Sequence, residues 1–263
     1  MELRECIFYS NDCYRRGLKI VPRGVMVHST GANNPNLRRY VQPDDGLLGK
    51  NGNDNDWNRP GLDVCVHAFI GRKADGGVAT YQTLPWDRRG WHAGSGRSGS
   101  ANNSHISFEI CEDALTDRSY FEAVYREATE LTAYLCGRYG LDPLADGVVI
   151  DHAEGHTRGL ASNHGDVTHW LTRFGRTMDD FRRDVAEQME VERMTKQELE
   201  ALIDQRIAQT LEGEGTTPSR WAEEELADAV RHGITDGTRP RGCATREEAA
   251  VMVERLRKRL ETE

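Results

Sequence analysis

Histidine side chains concentrate in the part of the chain that ends near His169. Eight of the nine histidines fall between His28 and His169, and four of these lie in the eighteen residues from His152 onward. Histidine is the commonest nitrogen ligand of zinc and the usual acid–base residue of enzymes. The clustering therefore points to metal-ion or proton-transfer chemistry in this part of the chain.

Two histidines and one carboxylate are candidates for a shared metal ion. His28 lies near the end of a predicted strand over 24–29, His152 follows another over 148–150, and Asp166 comes later in a polar loop. Catalytic zinc sites use three such ligands and keep a fourth position for water, which becomes acidic near neutral pH. A scattered trio of this kind also arises easily among nine histidines, so a hydrogen-bonded core position for His28 stays open.

Two further side chains are candidates for proton transfer beside such an ion. Glu109 lies within a predicted strand over 105–111 and could take a proton from an activated water. His164, two residues before Asp166, could donate to the oxygen of a tetrahedral intermediate. The plain alternative for Glu109 is an outward-facing position on an alternating strand.

The elements that would position these residues are strands interleaved with helices. Apolar runs predict five strands, over 24–29, 63–71, 77–84, 105–111 and 148–150. Apolar residues at three- and four-residue steps predict a helix over Phe121–Tyr139, and a second helix is predicted over Thr177–Arg193. The long Asn-, Gly- and Asp-rich segment after the first strand predicts a loop with one helical turn at Leu37–Val41. Together these indicate an α/β fold, a mixed central sheet flanked by helices.

Composition and charge exclude several classes of protein. With 37% hydrophobic and 29% charged residues, the chain is too apolar for disorder. It has no run of the roughly 18–20 apolar residues that a spanning helix needs, so stable membrane insertion is not expected. A net charge of -9 offers no basic surface for nucleic acid. The six cysteines are widely spaced and the N-terminus has no apolar signal segment, so reduced thiols and synthesis in the cytoplasm are expected.

The composition changes at Met194, where a charged helix is predicted. Its apolar residues recur at four-residue steps: Leu199, Ile203, Ile207 and Leu211. These steps do not follow the heptad of a long coiled coil. A helix, a turn and a second helix follow, and Thr245 and Glu248 form a capping box where the second helix begins. The oligomeric state stays open between a monomer and a dimer through these helices.

Five stretches of the sequence resemble, in order, the type-2 N-acetylmuramoyl-L-alanine amidases: GVMVHSTGANNP, VHAFIG, YQTLPWDRRGWHAG, NNSHISFEICED and HAEGHTRGLASNHGDVTHW. The resemblance is narrower still to prophage endolysins of Gram-positive bacteria. It implies the fold of the peptidoglycan recognition proteins over about residues 1–190. It also implies peptidoglycan as the partner, with cleavage of the amide between N-acetylmuramic acid and L-alanine of the stem peptide by a zinc-activated water.

The resemblance also implies roles for individual residues. The family's zinc (Zn2+) ligands correspond to His28, His152 and Asp166, and its catalytic glutamate corresponds to Glu109. Where many members carry a lysine two residues before the third ligand, this chain has His164.

Four residues are expected to contact substrate. Trp91 and His92 match a Trp-His-Ala-Gly motif that lines the groove in relatives. Many relatives also carry a tyrosine where this chain has Val66, which leaves His67 as the polar group there. Asn163, beside His164, is the fourth expected contact.

The C-terminal segment resembles a single S-layer-homology unit, which implies attachment to the cell wall; a docking or dimerising appendage is the alternative. The chain is accordingly divided into a catalytic domain over 1–190, a helical linker over 191–216 and a small helical module over 217–263. With no signal segment, the protein would act at the wall after release from the cytoplasm.

Two rival functions stay open beside the amidase. A non-catalytic peptidoglycan-binding protein on the same fold would be expected to lack a metal ligand, whereas all three candidates are present here. A metal-dependent nuclease built on the loop 152–169 would need a basic groove, which the net charge does not favour.

Overall fold

Six strands form one mixed sheet: β1 (Leu3–Glu5), β2 (Gly24–Ser29), β3 (Ala68–Arg72), β4 (Val78–Gln82), β5 (His105–Ile110) and β6 (Val149–Asp151). Across the sheet their order is β1-β4-β3-β5-β2-β6. Neighbouring strands are parallel except β3 and β4, which are antiparallel. The predicted mixed α/β sheet is confirmed, and the predicted strand over 63–71 shortens to its second half.

This computed structural model describes residues 1–212 and 217–261. Residues 213–216 of the predicted linker and 262–263 of the predicted C-terminal module lie outside the described residues. The chain divides into two units, Met1–Val191 and Glu192–Glu263.

Seven helices are described: α1 (Asp12–Arg16), α2 (Arg118–Tyr139), α3 (His152–Thr157), α4 (Thr168–Arg173), α5 (Met178–Glu212), α6 (Glu223–Arg231) and α7 (Arg246–Leu260). Asp117 caps the start of α2 by accepting a hydrogen bond from the Tyr120 amide, and Gly140 ends the helix in the left-handed region at φ 63°. The predicted turn near Leu37 is present as the 3₁₀ segment Leu37–Arg39.

Side chains of the central strands alternate between two faces of the sheet, as the pleat requires. Val25 and Val27 of β2 join a core with α2 and the start of α5, in which Phe121, Leu131 and Phe181 are buried. Met26 packs in a separate cluster with Ala93, Ala101, Ile150 and Ala161. Residues two positions apart share a face, so His28 lies on the Met26 side of β2. By the same alternation Glu109 lies on the face of β5 opposite Phe108.

The second unit comprises the C-terminal part of α5 together with α6 and α7. The predicted capping box at the start of α7 is confirmed: Thr245 accepts from the Glu248 amide, and the Glu248 side chain accepts from the Thr245 amide. Of the side chains described between 192 and 261, none is buried.

All six cysteines are free, and Cys65, Cys111 and Cys136 are buried, as expected of thiols that act as small apolar residues. No helix in the described parts of the chain has the length and apolar character needed to cross a bilayer.

Candidate metal centre and active site

The ends of β2 and β6 bring two histidines to one edge of the sheet. These strands are paired in parallel, with Val27 of β2 opposite Asp151 of β6, so the next residues, His28 and His152, emerge side by side. Asp151 caps α3 by accepting from the Glu154 amide, and this cap fixes His152 as the first residue of the helix. Asp166 reaches the same point from the loop before α4.

The three side chains converge with ligand-like separations. His28 Nδ1 lies 3.0 Å from Asp166 Oδ2 and 3.2 Å from His152 Nδ1, and His152 Nδ1 lies 3.5 Å from Asp166 Oδ1. Ligand atoms held about 2.0–2.2 Å from a zinc ion at tetrahedral angles lie about 3.4 Å from one another. The donor set of two imidazoles and one carboxylate therefore fits zinc in both chemistry and spacing.

The electrostatics of the cluster suit a cation. Burial lowers the pKa of His28 from its ordinary value, although the Asp166 carboxylate opposes the shift, so the imidazole is kept neutral. Burial alone would raise the pKa of Asp166, but its close contacts with His152 and His28 outweigh burial and hold that pKa far below its ordinary range. A neutral imidazole and an ionised carboxylate are the forms that bind metal.

Glu109 lies directly beside His28 in the sheet, because β5 and β2 pair with these two residues in register. Its Oε2 atom is buried and has no hydrogen-bond partner among the residues the structure describes. Burial raises the pKa of Glu109 well above its ordinary value, and the negative charges of Asp166 and Glu112 add to the shift. A carboxylate whose pKa is raised in this way takes up a proton more readily, as an acid–base residue requires.

An open cavity of about 420 Å³ joins these groups, and its walls include His28, Glu109, His152 and Asp166. The cavity gives a substrate access to the point where the candidate ligands meet and to the neighbouring carboxylate.

The chain matches the family model described as N-acetylmuramoyl-L-alanine amidase (Amidase_2) over residues 18–169. This span is more than half of the chain and contains all three candidate ligands and Glu109. The chain belongs to the N-acetylmuramoyl-L-alanine amidase family.

Relatives of this chain are similar to it in part of the sequence or in fold. N-acetylmuramoyl-L-alanine amidase CwlH of Bacillus subtilis (strain 168) is 56% identical over 34 residues, which are 13% of this chain and 14% of that protein. The chain thus aligns with only about one seventh of that curated relative.

Two solved structures share the fold. Staphylococcus aureus hydrolase AmiA, solved in complex with its ligand, superposes with a TM-score of 0.51 at 20% identity, covering 73% of this chain and 83% of that one. A point mutant of PlyL superposes with a TM-score of 0.50 at 20% identity, covering 71% of this chain and 99% of that one. At these identities the superpositions support the fold alone.

The residues that were expected to line the groove do not all lie at the cavity. Trp91, His92 and His164 line the cavity, and the exposed His164 ring packs against His152 with ring centroids 4.8 Å apart. Asn163 is exposed in the same loop but is not among the described residues that line the cavity.

His67 differs from its expected position in the groove. The residue is fully buried, and its Nδ1 accepts from the Ser107 amide while its Nε2 lies 2.6 Å from the Arg88 carbonyl oxygen. Burial lowers the pKa of His67 to about 4. Both ring nitrogens are engaged by the protein, so this histidine supports the sheet beneath the site and presents no free ring atom to a ligand.

Sequence reasoning missed two residues around the candidate site. Ser162 lines the cavity and its Oγ lies 3.3 Å from His152 Nε2. Glu112, which is buried, accepts a hydrogen bond from Ser29 and pairs with His169 of α4 at 3.0 Å. This pairing ties the end of β2 to the helix that follows the Asp166 loop. A lone serine and a lone glutamate in polar segments give no sequence signal for such roles.

Proposed function

We propose that this amidase is a zinc-dependent hydrolase of the bond between N-acetylmuramic acid and L-alanine of the peptidoglycan stem peptide. The observation that carries the proposal is the convergence of His28 Nδ1, His152 Nδ1 and an Asp166 oxygen, all within 4.8 Å of one another. The point of convergence borders an open cavity that also contains Glu109.

The residues of the site take different roles in the proposed amide hydrolysis. Zinc held by His28, His152 and Asp166 would supply Lewis-acid chemistry, making a water acidic and polarising the scissile carbonyl. Glu109 accepts the proton of the attacking water and returns it to the departing L-alanine nitrogen. The raised pKa of Glu109 suits both transfers.

His164 is proposed to assist from its position beside His152 in the cavity wall. Its ring is exposed beside His152, where it can donate a hydrogen bond to the oxygen that becomes negative as the carbonyl is attacked. Trp91 and His92 form part of the wall against which the substrate lies. With a net charge of -9, the protein is expected to hold its substrate by shape and hydrogen bonds and not by attraction to wall anions.

The division of the chain follows from the same proposal. Residues 1–190 act as the catalytic domain, 191–216 as a linker, and 217–263 as a small module that attaches to the wall or docks. The proposed setting is a prophage endolysin that acts at the cell wall after release. What supports a separate role for the C-terminal part is its set of exposed apolar side chains.

Purified full-length protein, given intact muropeptides, tests the function. We expect mass spectrometry to detect stem peptides with a new amino terminus at L-alanine, loss of this product after chelation, and its return with added zinc. Binding without turnover would instead support a peptidoglycan receptor, and nicking of DNA would support a nuclease. Either result would contradict the proposal.

A further inference from the structure

Both candidate ligand histidines are arranged in the same way about their two ring nitrogens. Each directs Nδ1 toward Asp166 and Nε2 toward a polar atom on the outer side. His28 Nε2 lies 3.0 Å from His92 Nδ1, and His152 Nε2 lies 3.3 Å from Ser162 Oγ. The outer partners therefore differ in kind but occupy equivalent positions.

The outer partner decides which tautomer each histidine adopts. A neutral imidazole carries one ring hydrogen, so Nδ1 has a free lone pair only when the hydrogen is on Nε2. For His28 the competing tautomer would place the hydrogen on Nδ1, where it would be donated to Asp166 Oδ2 at 3.0 Å. That tautomer could not bind a metal through Nδ1, so an acceptor at Nε2 is needed to disfavour it.

One short segment supports both outer contacts. The amides of His92 and Ala93 donate to Asn102 Oδ1 at 2.8 and 2.9 Å, and Asn102 Nδ2 donates to the Gly94 carbonyl oxygen at 3.0 Å. The same segment meets the second outer partner, because the Ser162 amide donates to the Ala93 carbonyl oxygen at 2.8 Å. Asn102 is fully buried, so this backbone is held in place from below.

The hydroxyl of Ser162 is arranged to accept from His152. Its Oγ lies 3.3 Å from the Ala93 carbonyl oxygen, and a hydroxyl that donates there keeps its oxygen lone pairs for neighbouring rings. His152 Nε2 and His164 Nδ1, the latter at 3.1 Å, both lie within reach of that oxygen.

We propose that His92 and Ser162 are positioning residues that hold His28 and His152 as Nε2–H tautomers, so that both present Nδ1 to the metal. The His92 ring supports this role, since its own buried Nε2 has no hydrogen-bond partner within the described part of the chain. The position of the His92 ring is therefore not explained by hydrogen bonding of its own Nε2 atom. The inference rests on the part of the proposed function that concerns zinc binding, and it does not depend on which bond is cleaved.

Three substitutions in the full-length protein test the role of His92. His92→Leu removes the acceptor, whereas His92→Asn keeps a side-chain oxygen near the position of Nδ1. His156→Leu is the matched control, because His156 is exposed on α3 close to His152. For each protein we would measure the dissociation constant for zinc by chelator competition, and the unfolding temperature of the zinc-free form.

The expected result is a dissociation constant raised about 10- to 100-fold in His92→Leu, which is the usual effect of losing such an outer hydrogen bond. His92→Asn should recover most of the affinity, and His156→Leu should match the wild type. Long-range nitrogen–proton correlation NMR of the zinc-free protein should show His28 as the Nε2–H tautomer in the wild type and a larger share of the Nδ1–H tautomer in His92→Leu.

Wild-type zinc affinity in His92→Leu would overturn the inference, as would equal losses in His92→Leu and His92→Asn without a change in the His28 tautomer. A wild-type protein that binds no zinc would overturn both this inference and the proposed function. A protein that binds zinc and responds to these substitutions but cleaves no muropeptide would overturn the proposed function alone.

Discussion

The two units of the chain differ in which side chains they bury. The first unit buries ionisable residues, including His28 and His152 of the candidate active site. The second unit exposes large apolar residues, with Trp221 83% and Leu260 68% accessible, and none of its described side chains is buried. Burying an ionisable group is unfavourable unless its partners compensate for it. The candidate chemical groups of the first unit are therefore buried side chains. The second unit offers exposed apolar side chains, which suit binding to another surface.

The largest expected difference between the units is the effect of substitutions on turnover. Glu109→Ala is expected to lower kcat by about 10²- to 10⁴-fold while zinc stays bound, because the substitution removes the proton acceptor and no ligand. His28→Ala should lose both zinc and turnover. Glu224→Ala, at an exposed position of α6, is the control and should retain both. Wild-type turnover by zinc-free Glu109→Ala protein would refute the assignment.

Replacing an apolar residue should lower the free energy of unfolding much more in the first unit than in the second. Leu131 of α2 is fully buried, and Leu202 of α5 is 55% exposed. Leu131→Ala is expected to lower the free energy of unfolding by about 2–5 kcal/mol, because it leaves a cavity in the core. Leu202→Ala should change it by no more than about 0.5 kcal/mol. Urea denaturation measures both, and equal losses would contradict the comparison by indicating that Leu202 is covered in solution.

The interior of the first unit should also carry a pH dependence. Burial lowers the pKa of His67 from 6.5 to about 4, so between these values the unfolded chain binds more protons than the folded one. The resulting stability is fully present above pH 6.5 and is lost as the pH falls toward 4. The loss at this site amounts to about 3 kcal/mol. His67→Gln should remove this contribution of about 3 kcal/mol to the change in unfolding free energy between pH 6.5 and pH 4, and an unchanged pH dependence would show that His67 does not titrate in this way.

The smallest effect is expected from removing the second unit. Because the first unit has its own core, a chain ending at Val191 should cleave soluble muropeptides at a rate within about twofold of the full-length protein. Its binding to intact cell walls, measured by sedimentation, should fall. A shortened chain that folds but has lost turnover on soluble fragments would show that the second unit contributes to the site.

Much of the first unit could be predicted because its central strands are apolar and bounded by turn residues. β2 and β5 follow this pattern, and the meeting of His28 with His152 follows from parallel strands ending at one edge. β1, α1, α3 and α4 were missed because elements of three to six residues are too short to display a period. The predicted helices on either side of Met194 form the single helix α5, since a change of composition does not by itself break a helix.

The remaining differences arise from contacts between distant segments. His67 was expected in the groove, but the Ser107 amide and the Arg88 carbonyl engage its ring, and neither residue is near it in sequence. The positions of His92 and Ser162 depend likewise on Asn102 and on the Ala93 carbonyl. Local patterns carry no information on such hydrogen bonds between distant segments.

A crystal structure of the zinc-loaded protein, with anomalous diffraction recorded at the zinc edge, tests the central claim most directly. The account predicts one anomalous peak about 2.0–2.2 Å from His28 Nδ1, His152 Nδ1 and an Asp166 oxygen, next to Glu109. A peak elsewhere, or one bound through Nε2 of either histidine, would contradict it.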